Sequence, residues 1–304
     1  MRRGAVLNLP TVTVFGAIAL DCRIRAAAPL VAGTSNPATS RAVAGGVGRN
    51  VAAGLAALGA HVRLVGRVGD ETAGQRLVTG LAAAGIDTAT VSRSTTAATA
   101  RYWAVLEPAG DLALGLADMA ILDEIEPAAG EPAARLPADA WFLDLNLPAA
   151  VVAHLLDHPA RPRLVAADTV SIAKSARLAG RLDRLDLLVT NVAEAAELAG
   201  AAGAEGLRQR GARIVVMGRA AAGLEVAHDG GLIDLPALAV APIDVTGAGD
   251  ALAAGCLFGL LVDHDPVMAA RLGRLAAAGF LSQGRPPAID DLRRLSDLVD
   301  KPLH

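Results

Sequence analysis

Two glycine-rich turns, each opening an apolar run, are where this 304-residue chain could do chemistry with backbone and side chains together. The first is "AVAGGVGRNVAAGLAALGA", residues 42–60, in which Arg49 and Asn50 follow Gly45, Gly46 and Gly48. The second is "DVTGAGDALAAGCLFGLL", residues 244–261, in which Thr246, Gly247, Ala248 and Gly249 lead into Asp250. A helix start exposes amide N–H groups that have no intrahelical acceptor, and the helix dipole adds partial positive charge there. Either turn can therefore receive an anion or a hydroxyl-rich ligand. Asp250 admits a plain reading as a first-turn carboxylate stabilised by the dipole, yet a helix needing only a cap does not need backbone as bare as Gly-Ala-Gly. The second turn reads as an anion hole beside a carboxylate.

Several other chemistries are disfavoured. No G-x-x-x-x-G-K-[ST] occurs, and Gly46-x-Gly48 and Gly247-x-Gly249 are followed three residues on by Val51 and Leu252, so neither completes a dinucleotide fingerprint. "HLLDH" places His154 and His158 at i and i+4 without a glutamate between them or a third ligand, and reads as an exposed helix face. No G-x-S-x-G elbow is present. Cys22 and Cys256 lack metal-type spacing, which suits a reducing, cytoplasmic setting. The opening "MRRGAVLNLPTVTVFGAIALDC" mimics a secretion signal, but Asn8 and Pro10 interrupt it and Asp21 spoils the cleavage site. No apolar run approaches the ~20 residues of a membrane helix. With 28 basic and 31 acidic residues the formal charge is −3, too small and mixed for a nucleic-acid or membrane surface, so the expected partner is a small molecule.

Positioning these residues requires a scaffold, and the chain reads as one α/β unit. Short β-branched and apolar runs predict strands over 11–20, 62–69, 140–145, 163–168, 186–191 and 212–218. Helices are predicted from the first motif to about residue 58, over 72–84, from 193, and over 248–262 and 266–281. Residues 22–44, rich in Pro, Gly, Ser and Thr, read as a loop or a small strand excursion, and the Ala-Pro-rich 126–138 as an exposed connection. Hairpins are predicted over 99–118, turning at Pro108-Ala109-Gly110-Asp111, and over 223–235. An open parallel sheet gathers ligands at its carboxyl edge, where Asp21, Asp144 with Asn146, Asp168, Asn191 with Glu194, and Gly218 would stand.

The stretch "GGVGRNVAAGLAALGAHVRLVGRVGDETAG", followed about 200 residues later by "DVTGAGDALAAG", resembles the ribokinase-like, PfkB family of sugar and nucleoside kinases over essentially the whole chain. The resemblance implies a three-layer α/β/α fold with a mainly parallel central sheet and a small β-sheet lid formed by segments 22–44 and 99–118. It further implies that Asp21 and Asn50 grip acceptor hydroxyls, with Gly45, Gly46 and Gly48 allowing close approach and Asn146 contacting the sugar. Asp250 would be the catalytic base and Gly247, Ala248 and Gly249 its anion hole. Asn191, Gly218, Gly223 and Thr246, with Gly247 and Gly249 again, would serve the nucleotide, and Glu194 would organise Mg2+ through water. As plain alternatives, Asn50 could cap its helix, and Asn191 with Glu194 could form a simple cap pair.

Within the family, "GGVGRNVA", "TARYWAVLEPAGDLALGLADM", "LDLNLP" and "DTVSIAKSARL" resemble the pseudouridine kinases. That implies transfer of the ATP γ-phosphate to the 5′-hydroxyl of pseudouridine, with Mg2+ and a candidate monovalent cation such as K+. Another sugar or ribonucleoside kinase, and a non-catalytic binding protein, stay open beside it. Lys174 reads either as an acceptor-binding ammonium or as a solvated helix residue. Tyr102 and Trp103 point to opposite faces of a lid strand, so one of them could cover a nucleoside, and a homodimer through the lid is expected. Thr169 stands where such kinases often have proline.

Overall fold

The computed structural model describes residues 9–241, 243, 246–262 and 265–299. The strands are β1 (Thr11–Phe15), β2 (Ala19–Ala26), β3 (Ala38–Gly45), β4 (His61–Gly69), β5 (Val91–Ser94), β6 (Ala100–Leu106), β7 (Leu112–Asp118), β8 (Ala140–Asp144), β9 (Leu164–Asp168), β10 (Leu187–Asn191), β11 (Ile214–Gly218), β12 (Leu224–His228) and β13 (Gly231–Leu235). The helices are α1 (Val47–Ala57), α2 (Thr72–Ala83), α3 (Ala120–Asp123), α4 (Glu131–Ala134), α5 (Ala149–Leu156), α6 (Ile172–Ser175), α7 (Val192–Ala199), α8 (Gly203–Gln209), α9 (Ala248–Leu261), α10 (Pro266–Gln283) and α11 (Ile289–Val299).

Nine strands form the main sheet in the order β13-β12-β11-β10-β9-β8-β1-β4-β5. All pairings are parallel except those of the β12–β13 hairpin at one edge. Side chains alternate across it, so Val12, Val14 and Phe142 enter one apolar layer with α1, α2, α9 and α10, whereas Phe15, Trp141 and Leu143 enter the other with α3, α5, α7 and α8. Burial on both faces is why these strands read as unbroken apolar runs. Small residues let the helices approach closely: a Cβ added to Gly273 would lie 2.3 Å from Cys256 Sγ, so α9 and α10 pack nearly backbone to backbone there. No helix among the described residues is long and apolar enough to cross a membrane.

Two local readings are corrected and one open alternative is decided. The run 11–20 is two strands, because the chain leaves the main sheet at Gly16, whose N–H donates to Val65 O at 2.9 Å, and Ala19 already begins β2 of another sheet. Over 22–44 the strand alternative holds: the end of β2 and most of β3 lie there, and the two strands pair antiparallel in a second sheet ordered β3-β2-β6-β7, as expected of the small sheet. The 126–138 connection folds into short helical turns that bury Gly130, Ala133 and Ala134. Strand β5 was not foreseen.

Candidate active site

The strand order reverses direction about β1, which lies between β8 and β4, and clefts form at the carboxyl ends beside such a reversal. Asp144, fully buried at the end of β8, ties that point together. Its Oδ2 accepts the Ala17 and Gly48 amides at 2.8 and 2.9 Å, and its Oδ1 accepts Asn146 N and Nδ2 at 2.7 and 2.8 Å. Burial raises the Asp144 pKa, and the bonds from Ala17, Asn146 and Gly48 act the other way. The approach of α1 to β1 demands glycine: a Cβ on Gly48 would lie 2.6 Å from Gly16 Cα.

Asn50 on α1 and Asp250 on α9 meet at this edge. Asn50 Nδ2 donates to Asp250 Oδ2 at 2.7 Å, and Arg49 Nη1 donates to Asn50 Oδ1 at 3.0 Å. Around them lies a cavity of about 240 Å³, lined on one side by Asp21, Arg23 and Arg41 of the second sheet and on the other by Thr246, Gly247 and Asp250. Gly247 has φ 99°, so the chain turns into α9 through the left-handed region. A Cβ at Gly249 would meet nothing within 4 Å, so its bareness leaves open space beside the first turn. Asp244 and Val245 lie outside the described residues.

Burial raises the Asp250 pKa to about 7, with Asp144 and Asp21 adding to the rise and Asn50 and Arg49 opposing it. An ordinary aspartate titrates near 4, so the fold makes Asp250 a far better proton acceptor than its residue type suggests.

The other predicted residues fall into groups. Asp21 sits within β2, not at a main-sheet strand end, and Gly45 is pressed against its carboxyl group. Gly46, with φ 95°, starts α1, and Ala248 begins α9. Asn146 and Lys174 are hydrogen-bonded to each other and line a second cavity of about 370 Å³ with Ala117, Asp118 and Arg177. Burial lowers the Lys174 pKa, opposed by Asp144. Tyr102 is in register with Asp21 and shares its face, with its hydroxyl over Gly115, but it does not line the Asp250 cavity.

Asn191 and Gly218 are register partners at the ends of β10 and β11, and Gly223 closes the turn beyond. Asn191 Oδ1 caps α7 by accepting Glu194 N at 3.0 Å. Glu194 is buried, and the Thr169 hydroxyl bonds its carboxylate. Asp168, at the end of β9, is pushed well above the usual carboxylate range by burial first and then by the Asp250 charge, with Glu194 and Asp144 contributing. Val170, two residues on, has φ 63°, a strained value for a β-branched residue beside these groups.

Sequence reasoning places Asp144 and Asp168 at the ligand-binding edge without a specific task, and gives none to Thr169 or Arg49, although each lies at a strand end or glycine turn that it singles out. The exposed face predicted for His154 and His158 is corrected. Helix α5 ends at Leu156, His158 turns inward to 7 % exposure, and both imidazoles converge on Glu131 Oε1, at 2.7 and 3.4 Å.

A family model described as pfkB family carbohydrate kinase matches residues 10–286. The uncharacterized sugar kinase YeiI of Escherichia coli is 32% identical over 114 residues, 38% of this chain and 32% of that protein, so the match spans about a third of the relative's length. A carbohydrate kinase from Agrobacterium tumefaciens superposes with a TM-score of 0.83 at 28% identity, covering 95% of this chain and 98% of that one. Arabidopsis thaliana ribokinase, solved with ribose and ATP, superposes with a TM-score of 0.78 at 20% identity, covering 94% and 98%. The architecture is ribokinase-like, and the chain belongs to the pfkB family of carbohydrate kinases.

Proposed function

We propose that the chain transfers the γ-phosphoryl group of ATP to a hydroxyl of a small sugar or nucleoside, with the 5′-hydroxyl of pseudouridine as the acceptor. The observation that carries the kinase reading is the Asp250 carboxylate at the bare start of α9, bonded to Asn50 in a cavity shared with Asp21. Phosphoryl transfer runs through a loose transition state, so the protein's part is to position groups and neutralise charge. In this reading Asp21 and Asn50 hold acceptor hydroxyls, Asp250 orients the attacking one and receives its proton, and the Gly247-Ala248-Gly249 amides face the migrating group. Asn191, Gly218, Gly223 and Thr246 form the donor side. ATP as donor is supported by the family and by the ligand in the Arabidopsis ribokinase structure.

A divalent cation fits the residues present. Asp168 is raised by burial first and then by neighbouring negative charge, which a cation would relieve, and the carboxylates of Asp168 and Glu194 are the hard oxygen ligands that suit Mg2+. Glu194 and Asp168 would hold it through water, and when bound it would neutralise phosphate charge.

The second sheet serves as a lid in this proposal, since β2 supplies Asp21 and β6 sets Tyr102 on the same face. The pseudouridine reading rests on the lid and strand-end markers in the sequence, and on the second group of polar contacts, Asn146 with Lys174, available to the base ring of a two-ringed acceptor. A homodimer through the lid is supported by its outer face, where Leu112, Leu114 and Leu116 are 57, 51 and 50 % exposed.

The test is ADP release with pseudouridine, uridine, adenosine, ribose and fructose, each with ATP and Mg2+. Highest kcat/KM on pseudouridine is expected. Preference for another acceptor moves the assignment within the family, and saturable binding without ADP release overturns the kinase reading.

A further inference from the structure

Arg49 follows the last glycine of the first motif, and the kinase reading assigns it nothing. Its backbone N–H donates to Ala17 O at 3.0 Å, which fixes its place at the start of α1. Its guanidinium turns inward, donating to Asn50 Oδ1 at 3.0 Å and approaching Ala44 O at 3.5 Å. Burial lowers the pKa of the guanidinium, and the charges of Asp21 and Asp250 oppose that.

A primary amide has one accepting and one donating end, and left alone it can present either to a neighbour. A guanidinium only donates. With Arg49 on Oδ1, the end of Asn50 facing Asp250 has to be Nδ2, which bonds the ionised carboxylate. We propose that Arg49 is a positioning residue for Asp250: it sets the orientation of the Asn50 amide and supplies the nearby positive charge that keeps the buried carboxylate able to ionise. The inference rests on the reading of Asp250 as the proton acceptor but is tested separately from it. The charged groups around Asp250 are Asp21 on β2, Asp144 at the end of β8, Asp168 at the end of β9 and Arg49 on α1. Arg23, Arg41 and Arg285 line the same cavity.

The experiment compares Arg49→Met, which keeps the apolar stem, with Arg49→Lys, which keeps the charge. It reads the acid limb of the kcat profile and, in the ligand-free full chain, the 13C titration of the Asp250 carboxyl, identified by its loss in Asp250→Asn. Removing the positive charge and releasing the Asn50 amide both favour the protonated carboxyl, so Met should move both midpoints up by about half a pH unit or more. Lys should return them to near the wild-type position. Arg49→Gln replaces Met should that variant not fold. A folded Met or Gln variant with an unmoved carboxyl midpoint overturns the proposal. Should no acceptor release ADP, the kinase reading fails while the carboxyl titration still decides the role of Arg49.

Discussion

The Thr169 hydroxyl bonds the Glu194 carboxylate, joining the residue after β9 to the first turn of α7. Both side chains are buried, and Thr190 Oγ1 lies 2.9 Å from the same hydroxyl. Proline, the residue often found here in similar kinases, could not make this bond. Thr169→Val should therefore free the carboxylate and raise the Mg2+ concentration for half-maximal activity about tenfold, the effect of losing about 1.5 kcal/mol, the low end for one charge-assisted bond. Thr169→Ser should restore it. Direct titration with Mn2+, followed by electron paramagnetic resonance, would read the same change without turnover; equal affinities in Val and Ser variants would remove the role.

Asp250 titrating at about 7 implies a pH profile of definite sign. In the proposed reaction the ionised form accepts the proton, so kcat/KM should rise about tenfold per pH unit below that midpoint and level off above it. Asp250→Asn should lower kcat by about 10²- to 10⁴-fold and flatten this limb, while acceptor binding persists. Folding responds in the opposite sense. The folded pKa lies above the unfolded value near 4, so this group's contribution to stability is complete below pH 4 and is lost as pH rises through about 7. Urea denaturation of wild type and Asp250→Asn between pH 5 and 8 would show whether the difference between them follows that course.

The contact of Gly48 with Gly16 is backbone against backbone, so neither side can yield cheaply. Gly48→Ala should destabilise the chain by about 1–3 kcal/mol, the usual effect of forced overpacking. It should also lengthen the hydrogen bond that the Gly48 N–H donates to Asp144 Oδ2. A melting temperature within one degree of wild type would contradict the packing described here.

The outer face of the second sheet offers a fourth test. Leu116→Glu places a charge at a half-exposed position opposite Trp103 on β6. In sedimentation velocity the wild type should run as a dimer and the variant as a monomer. A monomeric wild type would end the lid-dimer proposal.

Much of this molecule was legible in its sequence. The two glycine turns, the long helices over 248–261 and 266–283, and the strands ending at Asp144, Asp168 and Asn191 announce themselves through local composition. What stayed hidden depends on distant partners. The break between β1 and β2 is set by Gly16 lying against Gly48 and Asp144, and no feature of the run 11–20 records that crowding beyond one glycine. Asn50 and Asp250 are 200 positions apart, so their bond, and the strength of Asp250 as a base, exist only once α1 and α9 are side by side. His158 looked exposed because the helical spacing from His154 was extended past the end of α5, and the carboxylate that receives both rings comes from Glu131.

The tight seam of α9 with α10 also gives the protein a built-in sentinel. Cys256 is wholly enclosed there and its thiol is pushed up to about 12 by burial, whereas Cys22 on β2 is only partly buried. A thiolate is the species that reacts, so an alkylating reagent applied to the native chain should mark Cys22 at once and reach Cys256 only when those helices part. The lag between the two labelling events is a clock for how often the core breathes.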